Sequence, residues 1–281
     1  MSPMTLPRGA HFRKYIALPQ QHGSWALWIG PYLVGASVGG WLRPGLLWVS
    51  LALLGAFLML QPMTMLVKAL SGRRSREEAR LCAFWLLIYA VLAVVGALGM
   101  VATGNGALIV LGGIAAPVLF WQMWLVAHRA ERRNLWAEVA GSTVLALAAP
   151  VAYWTDVGMQ HVTGWWLWLW CALQSSAAIA YVFVRLEQRR MTHPPTWAER
   201  WRMARFSTIW HVMNLTLAAS CAALGTAPAL IVVPFAVVLV EAIYGGLLRP
   251  CVGAKPVAIG LRQMALTLIF AVLLILAYRL G

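Results

Sequence analysis

The sequence predicts an all-α, polytopic membrane bundle of nine transmembrane helices, with the N-terminus inside and the C-terminus outside. Three observations carry that prediction. Hydrophobic residues fill 62% of 281 positions and charged residues only 11%, against about 25% charged in soluble domains. The apolar residues run in stretches that can cross a hydrocarbon layer about 30 Å thick, which takes about 20 helical residues. The Lys and Arg residues gather between those stretches rather than inside them. A soluble chain of this length has one or two cores and cannot hide so much apolar surface. Alternation with a period of two is absent, which argues against strands.

The expected spans are 23–41, 46–67, 81–102, 107–127, 136–156, 164–184, 208–225, 228–247 and 261–280. Residues 1–22 contain no apolar h-region, so a cytoplasmic N-terminal segment is expected there rather than a cleavable signal peptide. Residues 23–281 are expected to form one membrane domain. Arg43-Pro44-Gly45 turns the chain after the first span and Thr103-Gly104-Asn105-Gly106 after the third, while Ala227-Pro228 opens the eighth. No soluble insertion, internal repeat or low-complexity segment is visible.

Orientation follows from the bias of Lys and Arg toward cytoplasmic loops. With the N-terminus inside, the inner segments hold Arg8, Arg13, Lys14, Lys68, Arg73, Arg74, Arg76, Arg80, Arg129, Arg132 and Arg133. They also hold Arg185, Arg189, Arg190, Arg200, Arg202, Arg205, Arg249, Lys255 and Arg262. The outer side keeps Arg43 and Arg279, a split of 20 against 2. One miscounted span would swap every later loop and destroy that bias. The net charge of +14 therefore belongs to membrane topology, and nucleic acid is not an expected partner. Membrane lipids are.

Cys82, Cys171, Cys221 and Cys251 are scattered, so small core residues are expected rather than a disulfide framework or a zinc site. Trp165, Trp166, Trp168 and Trp170 crowd the outer end of the sixth span, where an aromatic belt is expected. Gly35 and Gly39 form a small-xxx-small pair for close helix approach, and Pro31 and Pro150 are expected to kink their helices.

Topology gives each polar residue a depth. His22 opens the first span from inside, Gln61 and Gln122 lie near the inner ends of the second and fourth, and Glu138 starts the fifth. His211 and Asn214, three apart, share a face early in the seventh, and Glu241 and Tyr244 do so toward the inner end of the eighth. An Asp or Lys at a helix centre costs about 2.5–3.5 kcal/mol on insertion scales, so such groups should face a bundle interior or a watery cavity. Taken singly, each has a bland reading. Glu138 suits the helix dipole, Glu241 can pair with a loop arginine, and Gln122 and Tyr244 can sit at the interface. Their convergence points to a cytoplasm-facing polar cavity. The expected catalytic group is His22, Glu138 and His211, with Gln61, Asn214, Glu241, Tyr244, Arg74, Arg202 and Arg205 binding the substrate. No metal ligands are expected.

Gln20-Gln21-His22-Gly23-Ser24-Trp25, followed by Pro31 and Gly35, resembles the opening of the YwiC-like family of bacterial membrane proteins. The resemblance continues through Leu135-Trp136-Ala137-Glu138-Val139-Ala140-Gly141 to Ala149-Pro150, and through Trp210-His211. It implies a multi-pass protein of the bacterial cytoplasmic membrane, in a family whose biochemical function is not established. More distantly, nine helices with an inside N-terminus resemble the UbiA superfamily of intramembrane prenyltransferases. Those enzymes hold magnesium and an isoprenyl diphosphate through Asp-rich motifs after the second and sixth helices. In the best register for the first motif, Gln61, Pro62, Met65 and Ala69 stand where that family has Asn and Asp, and Arg74 matches its Arg. The loop 185–207 offers Glu199, Arg200, Arg202 and Arg205 in place of the second motif. Magnesium needs hard oxygen ligands, commonly carboxylates bridging it to phosphate, so magnesium is not expected as a cofactor.

Three functional readings follow. The first is an enzyme, or a diverged one, on a UbiA-like scaffold acting on a lipidic, isoprenoid or quinone-like molecule, with His211 or His22 as acid or base. The second is a non-catalytic assembly factor that holds such a molecule or a membrane-protein partner. The third is a haem or metal site ligated by His22 and His211.

Overall fold

The computed structural model describes residues 14–19, 22–41, 43–131, 134–155, 157–159 and 161–281, with the side chains of Lys14 and His22 excepted. Among the described residues every regular element is helical. Seven helices are long and apolar enough to cross a membrane, covering Gly45–Leu70, Arg76–Ala102, Gly106–Ala127, Leu135–Trp154, Thr163–Gln188, Ala229–Leu248 and Pro256–Leu280. The other two expected spans are also helices, His22–Gly39 and Trp197–Ala223. They fall short of that apolarity because the first is rich in Gly, Ser and Trp and the second opens on Glu199, Arg200, Arg202 and Arg205. The chain forms two compact units, one from residues 1–21 and 43–132 and the other from 22–42 and 133–281.

The first unit contains α1 (Lys14–Ala17), α3 (Gly45–Leu70), α4 (Arg76–Ala102) and α5 (Val110–Ala127). Helices α3 and α4 form a hairpin whose backbones nearly touch. A Cβ on Gly96 would stand 2.3 Å from the Ala52 nitrogen, and one on Gly55 2.5 Å from the Ala93 nitrogen. Small residues permit this, and in lipid such close packing replaces the hydrophobic drive that water supplies elsewhere. Ser75 starts α4 by accepting from the Glu78 N–H, with Glu77 and Glu78 in the first turn facing the positive end of the helix dipole. Helix α1 is tied on by Tyr89 Oη donating to the Ala17 carbonyl at 2.8 Å and Gln61 Nε2 to the Tyr15 carbonyl at 2.7 Å. Most of α4 and α5 is apolar yet uncovered. Leu87, Val94, Leu98, Val110 and Phe120 are all more than half exposed, a surface that lipid can cover and water cannot.

The second unit comprises α2 (His22–Gly39), α6 (Leu135–Leu145), α7 (Ala148–Trp154), α8 (Thr163–Gln188), α9 (Trp197–Ala223), α10 (Val232–Ile243) and α11 (Pro256–Leu280). Helix α8 is its centre and packs on α2, α6, α7, α9 and α11. Of its apolar stretch 67% is buried, against 17% for α4. The expected fifth span is two helices, because the Pro150 ring nitrogen cannot donate to Ala146 and the ladder breaks at Ala146–Leu147. Helix α2 presses on α7 so closely that a Cβ on Gly35 would lie 2.0 Å from the Ala149 carbonyl oxygen. The core joins Val34, Leu167, Trp170, Phe235, Phe270 and Leu274.

Two sequence expectations change here. Trp170 is not a belt residue. It is fully buried, edge-on to Phe235 at 5.8 Å, with Nε1 donating to Tyr278 Oη at 2.9 Å. The expected loop 185–207 is mostly helix, since α8 runs to Gln188 and α9 starts at Trp197. A capping box sets that start, the Thr196 N–H donating to Glu199 Oε2 at 2.8 Å while the Glu199 N–H reaches Thr196 Oγ1 at 3.4 Å.

Gly35→Ala should lower the thermal midpoint of the detergent-purified protein by the equivalent of about 1–3 kcal/mol, an overpacking cost. Gly112→Ala, where nothing lies within 4 Å of the new carbon, should leave the midpoint unchanged. Equal effects from the two would contradict the α2–α7 contact.

Candidate functional site

The densest polar arrangement in the second unit lies where α8 ends, α9 and α11 begin, and α10 passes into a π-helical turn, Tyr244–Leu248. A π turn leaves its carbonyls poorly served by its own backbone, and here side chains from α8 and α9 serve them. Arg185 Nη1 donates to the carbonyls of Gly245 and of Arg249, the latter at 2.9 Å, and to Gln188 Oε1 at 3.0 Å. Gln188 Nε2 donates to the Gly246 carbonyl at 2.7 Å, and Arg200 Nη1 to that of Leu247 at 3.2 Å. Arg185 is 6% exposed and Gln188 fully buried. Gly245 has no alternative side chain, because a Cβ there would stand 1.8 Å from Tyr181 Oη.

A second chain of contacts starts at that hydroxyl. Tyr181 Oη donates to Glu241 Oε1 at 2.8 Å, and Arg262 Nη2 meets Glu241 Oε2 at 2.7 Å. Arg262 lies 5.8 Å above the Tyr244 ring, and Arg249 Nη1 donates to Tyr244 Oη at 3.0 Å. Both Glu241 oxygens are therefore committed, one to a phenol and one to a guanidinium. Behind Tyr181 sits His211, 3% exposed and edge-on to the tyrosine ring at 6.4 Å. Its Nδ1 is 2.8 Å from the Ser207 carbonyl. That partner can only accept, so Nδ1 carries the proton and Nε2 holds the lone pair of the neutral ring. Ser207 Oγ and Thr208 Oγ1, on the same stretch of α9, are buried with no hydrogen-bond partner among the described residues.

The sequence candidates divide among several places. Glu241, Tyr244 and His211 belong to this network. Asn214 is 4% exposed and donates to the Leu173 carbonyl at 2.9 Å, which makes it a strut between α9 and α8. Glu138 is exposed on α6, and no hydrogen bond joins it to His211 or Asn214 among the described residues. The His22 side chain lies outside those residues, as do Arg8, Arg13, Arg132 and Arg133 of the expected basic loops. Arg202 and Arg205 are exposed on the first turns of α9. Gln61 and Arg74 belong to the first unit, the latter 3.3 Å from Glu78. Also in the first unit, Glu131 meets Arg73 at 2.9 Å and Lys68 at 3.7 Å. Burial pushes its carboxyl up, but its own N–H, the Arg73 hydrogen bond and both cations outweigh that and hold it below the usual range. Among the described residues no three His, Cys, Asp or Glu side chains stand close enough to hold a metal ion.

Tyr181, Arg185 and Gln188 were not among the sequence candidates. Their spacing of four and three puts them on one helical face, and that polar stripe ending at Gly245-Gly246 was the available signal. Arg185→Met should orphan at least two buried carbonyls at about 1–3 kcal/mol each. Cys251 Sγ lies 3.2 Å from the Arg185 carbonyl and is the least buried of the four thiols. Cys251 should therefore be alkylated faster in that variant than in the parent. Unchanged alkylation and an unchanged thermal midpoint would remove Arg185 from its structural role.

The comparisons with known proteins bear on the N-terminal part. No curated protein and no solved structure matches the chain. A family model described as YwiC-like protein matches residues 18–153. That region runs from just before α2 to the end of α7, so it takes in His22, Gln61, Arg74 and Glu138 but none of the network from Tyr181 to Arg262. Over residues 18–153 the chain is similar to that family's model.

Proposed function

We propose that this chain is a nine-span protein of the bacterial cytoplasmic membrane, N-terminus inside and C-terminus outside, that binds a lipid-soluble molecule with a polar, anionic head at the inner ends of α8–α11. One observation carries the reading. The Glu241–Arg262 pair is reachable, with the Arg262 side chain 45% exposed and Tyr244 37% exposed, and apolar side chains lie bare four residues before and after Tyr244, Val240 at 66% and Leu248 at 57% exposed. On another face of α11, Val257, Leu261 and Met264, four and three apart, join Trp25 in lining a groove of about 420 Å³. Guanidinium groups beside bare apolar side chains complement an amphiphile, the head taken by charge-assisted hydrogen bonds and the tail by that surface. Arg249 and Lys255 add positive charge at the same end. His211, with its free lone pair, and the unpartnered hydroxyls of Ser207 and Thr208 lie one layer deeper.

Both Glu241 oxygens are occupied, so the reading is recognition by arginine rather than by a carboxylate-held metal. The charge split of the loops supports the orientation, since it puts every one of these groups on the cytoplasmic side. Single cysteines placed at positions 72 and 194, in a background lacking the native four, should react with an impermeant maleimide only from inside. Labelling of either from outside would overturn the nine-span arrangement.

Native mass spectrometry of the purified protein tests the site. A bound amphiphile such as a phospholipid, isoprenoid phosphate or quinone should accompany the parent and be lost from Arg262→Gln at equal folded yield. A protein that flies without any adduct under gentle release, or an adduct indifferent to Arg262→Gln, would overturn the reading.

A further inference from the structure

A second polar place lies away from that network, near the middle of α2, α8 and α11. A crevice there is lined by Leu27, Gly30 and Pro31 of α2, Gln174 and Ser175 of α8, and Thr267 of α11, among others, and has about 10 Å³ of interior space, room for one water-sized guest. Gln174 is 3% exposed, its Oε1 has no partner, and no hydrogen bond holds its amide among the described residues. An unpaired buried amide is costly, and in a helix with apolar neighbours Leu would have filled the position. Something polar is accommodated at this spot.

The lining is chemically one-sided. Pro31 has no N–H, so the Leu27 carbonyl loses the donor a regular helix would supply. Thr267 Oγ1 gives its proton to the Gln263 carbonyl at 3.0 Å and Ser175 Oγ gives its own to that of Cys171, so both hydroxyls meet a guest with lone pairs only. The Gln174 amide, unheld, can turn its oxygen to the same point. Four residues that carry an oxygen acceptor thus line one crevice, and no proton is left among the hydroxyls. A water molecule would need a donor for its own lone pairs, which only the Gln174 amide N–H could supply. A small cation is electropositive on every side.

We infer that the crevice between α2, α8 and α11 is a binding site for a monovalent cation of about the size of Na+, coordinated by the Leu27 carbonyl, Gln174 Oε1, Ser175 Oγ and Thr267 Oγ1. A carbonyl freed by a proline within a helix, beside hydroxyls, is the kind of backbone that can hold such ions in lipid. No carboxylate lines the crevice, which favours a single charge over a divalent ion needing anionic ligands. The inference is independent of the headgroup site, sharing none of its residues.

Unfolding of the full-length protein followed by tryptophan fluorescence in NaCl, KCl and N-methylglucamine chloride at equal ionic strength tests it. Na+ or K+ should raise the midpoint saturably over N-methylglucamine, and both Gln174→Leu and Thr267→Val should weaken the apparent affinity at least tenfold. Thr267→Val keeps the side-chain shape, so it reports even where Gln174→Leu folds poorly. Identical midpoints in the three salts, or a cation effect that survives both substitutions, would overturn the inference.

Discussion

Inside a bilayer there is no water to pair with a backbone carbonyl, and the π turn that ends α10 meets that constraint with side chains from its neighbours. The π turn at Tyr244–Leu248 turns carbonyls away from the regular ladder, and each one left unpaired would cost several kcal/mol in hydrocarbon. Arg185, Gln188 and Arg200 reach it from two neighbouring helices. Their placement fixes how α8 and α9 lie against α10, and that in turn puts Tyr181 against Gly245 and within reach of Glu241. The exposed ion pair with Arg262 is the outer end of an arrangement whose inner end is backbone satisfaction.

The same demand explains the hydroxyls. Ser50, Thr64, Thr143, Thr155, Ser176 and Thr267 all donate to the carbonyl four residues earlier, the inexpensive way to bury such a group in a helix. Ser207 and Thr208 do not, and they sit beside the His211 ring. Both lie on the stretch of α9 that also carries His211.

Much of this was legible in the sequence. All nine expected spans form helices, because run length and composition dominate in a chain meant for lipid. Glu241, Tyr244 and His211 were legible as intramembrane polar groups, which need partners wherever they occur. What escaped was local. The Lys and Arg content of 185–207 read as a loop, although Thr196 and Glu199 carried a capping box that marked the start of α9. Arg185 read as a solvated inner charge because its partners are carbonyls about 60 residues away, which no spacing reveals. Trp170 read with its neighbours as a belt residue, yet only Trp165 of that group is exposed. The face of the helix, not the density of tryptophan, decides it. Glu138 was singled out by the sequence and lies on the exposed side of α6.

The chain visits its two units out of order, and this matters during synthesis. Helix α2 belongs with α7, α8 and α11, yet α1, α3, α4 and α5 belong to the other unit. Translation proceeds at about 5–20 residues per second, so the interval between completing α2 at Gly39 and starting α7 at Ala148 is about 5–20 s. Throughout it the Gly35 face of α2, which packs on α7, has only lipid or an insertion factor for company, while the α3–α4 hairpin can already close. A nascent chain stalled before α7 should thus carry a closed α3–α4 hairpin and an α2 still waiting at the ribosome's door, accessible to crosslinking by whatever machinery shelters it.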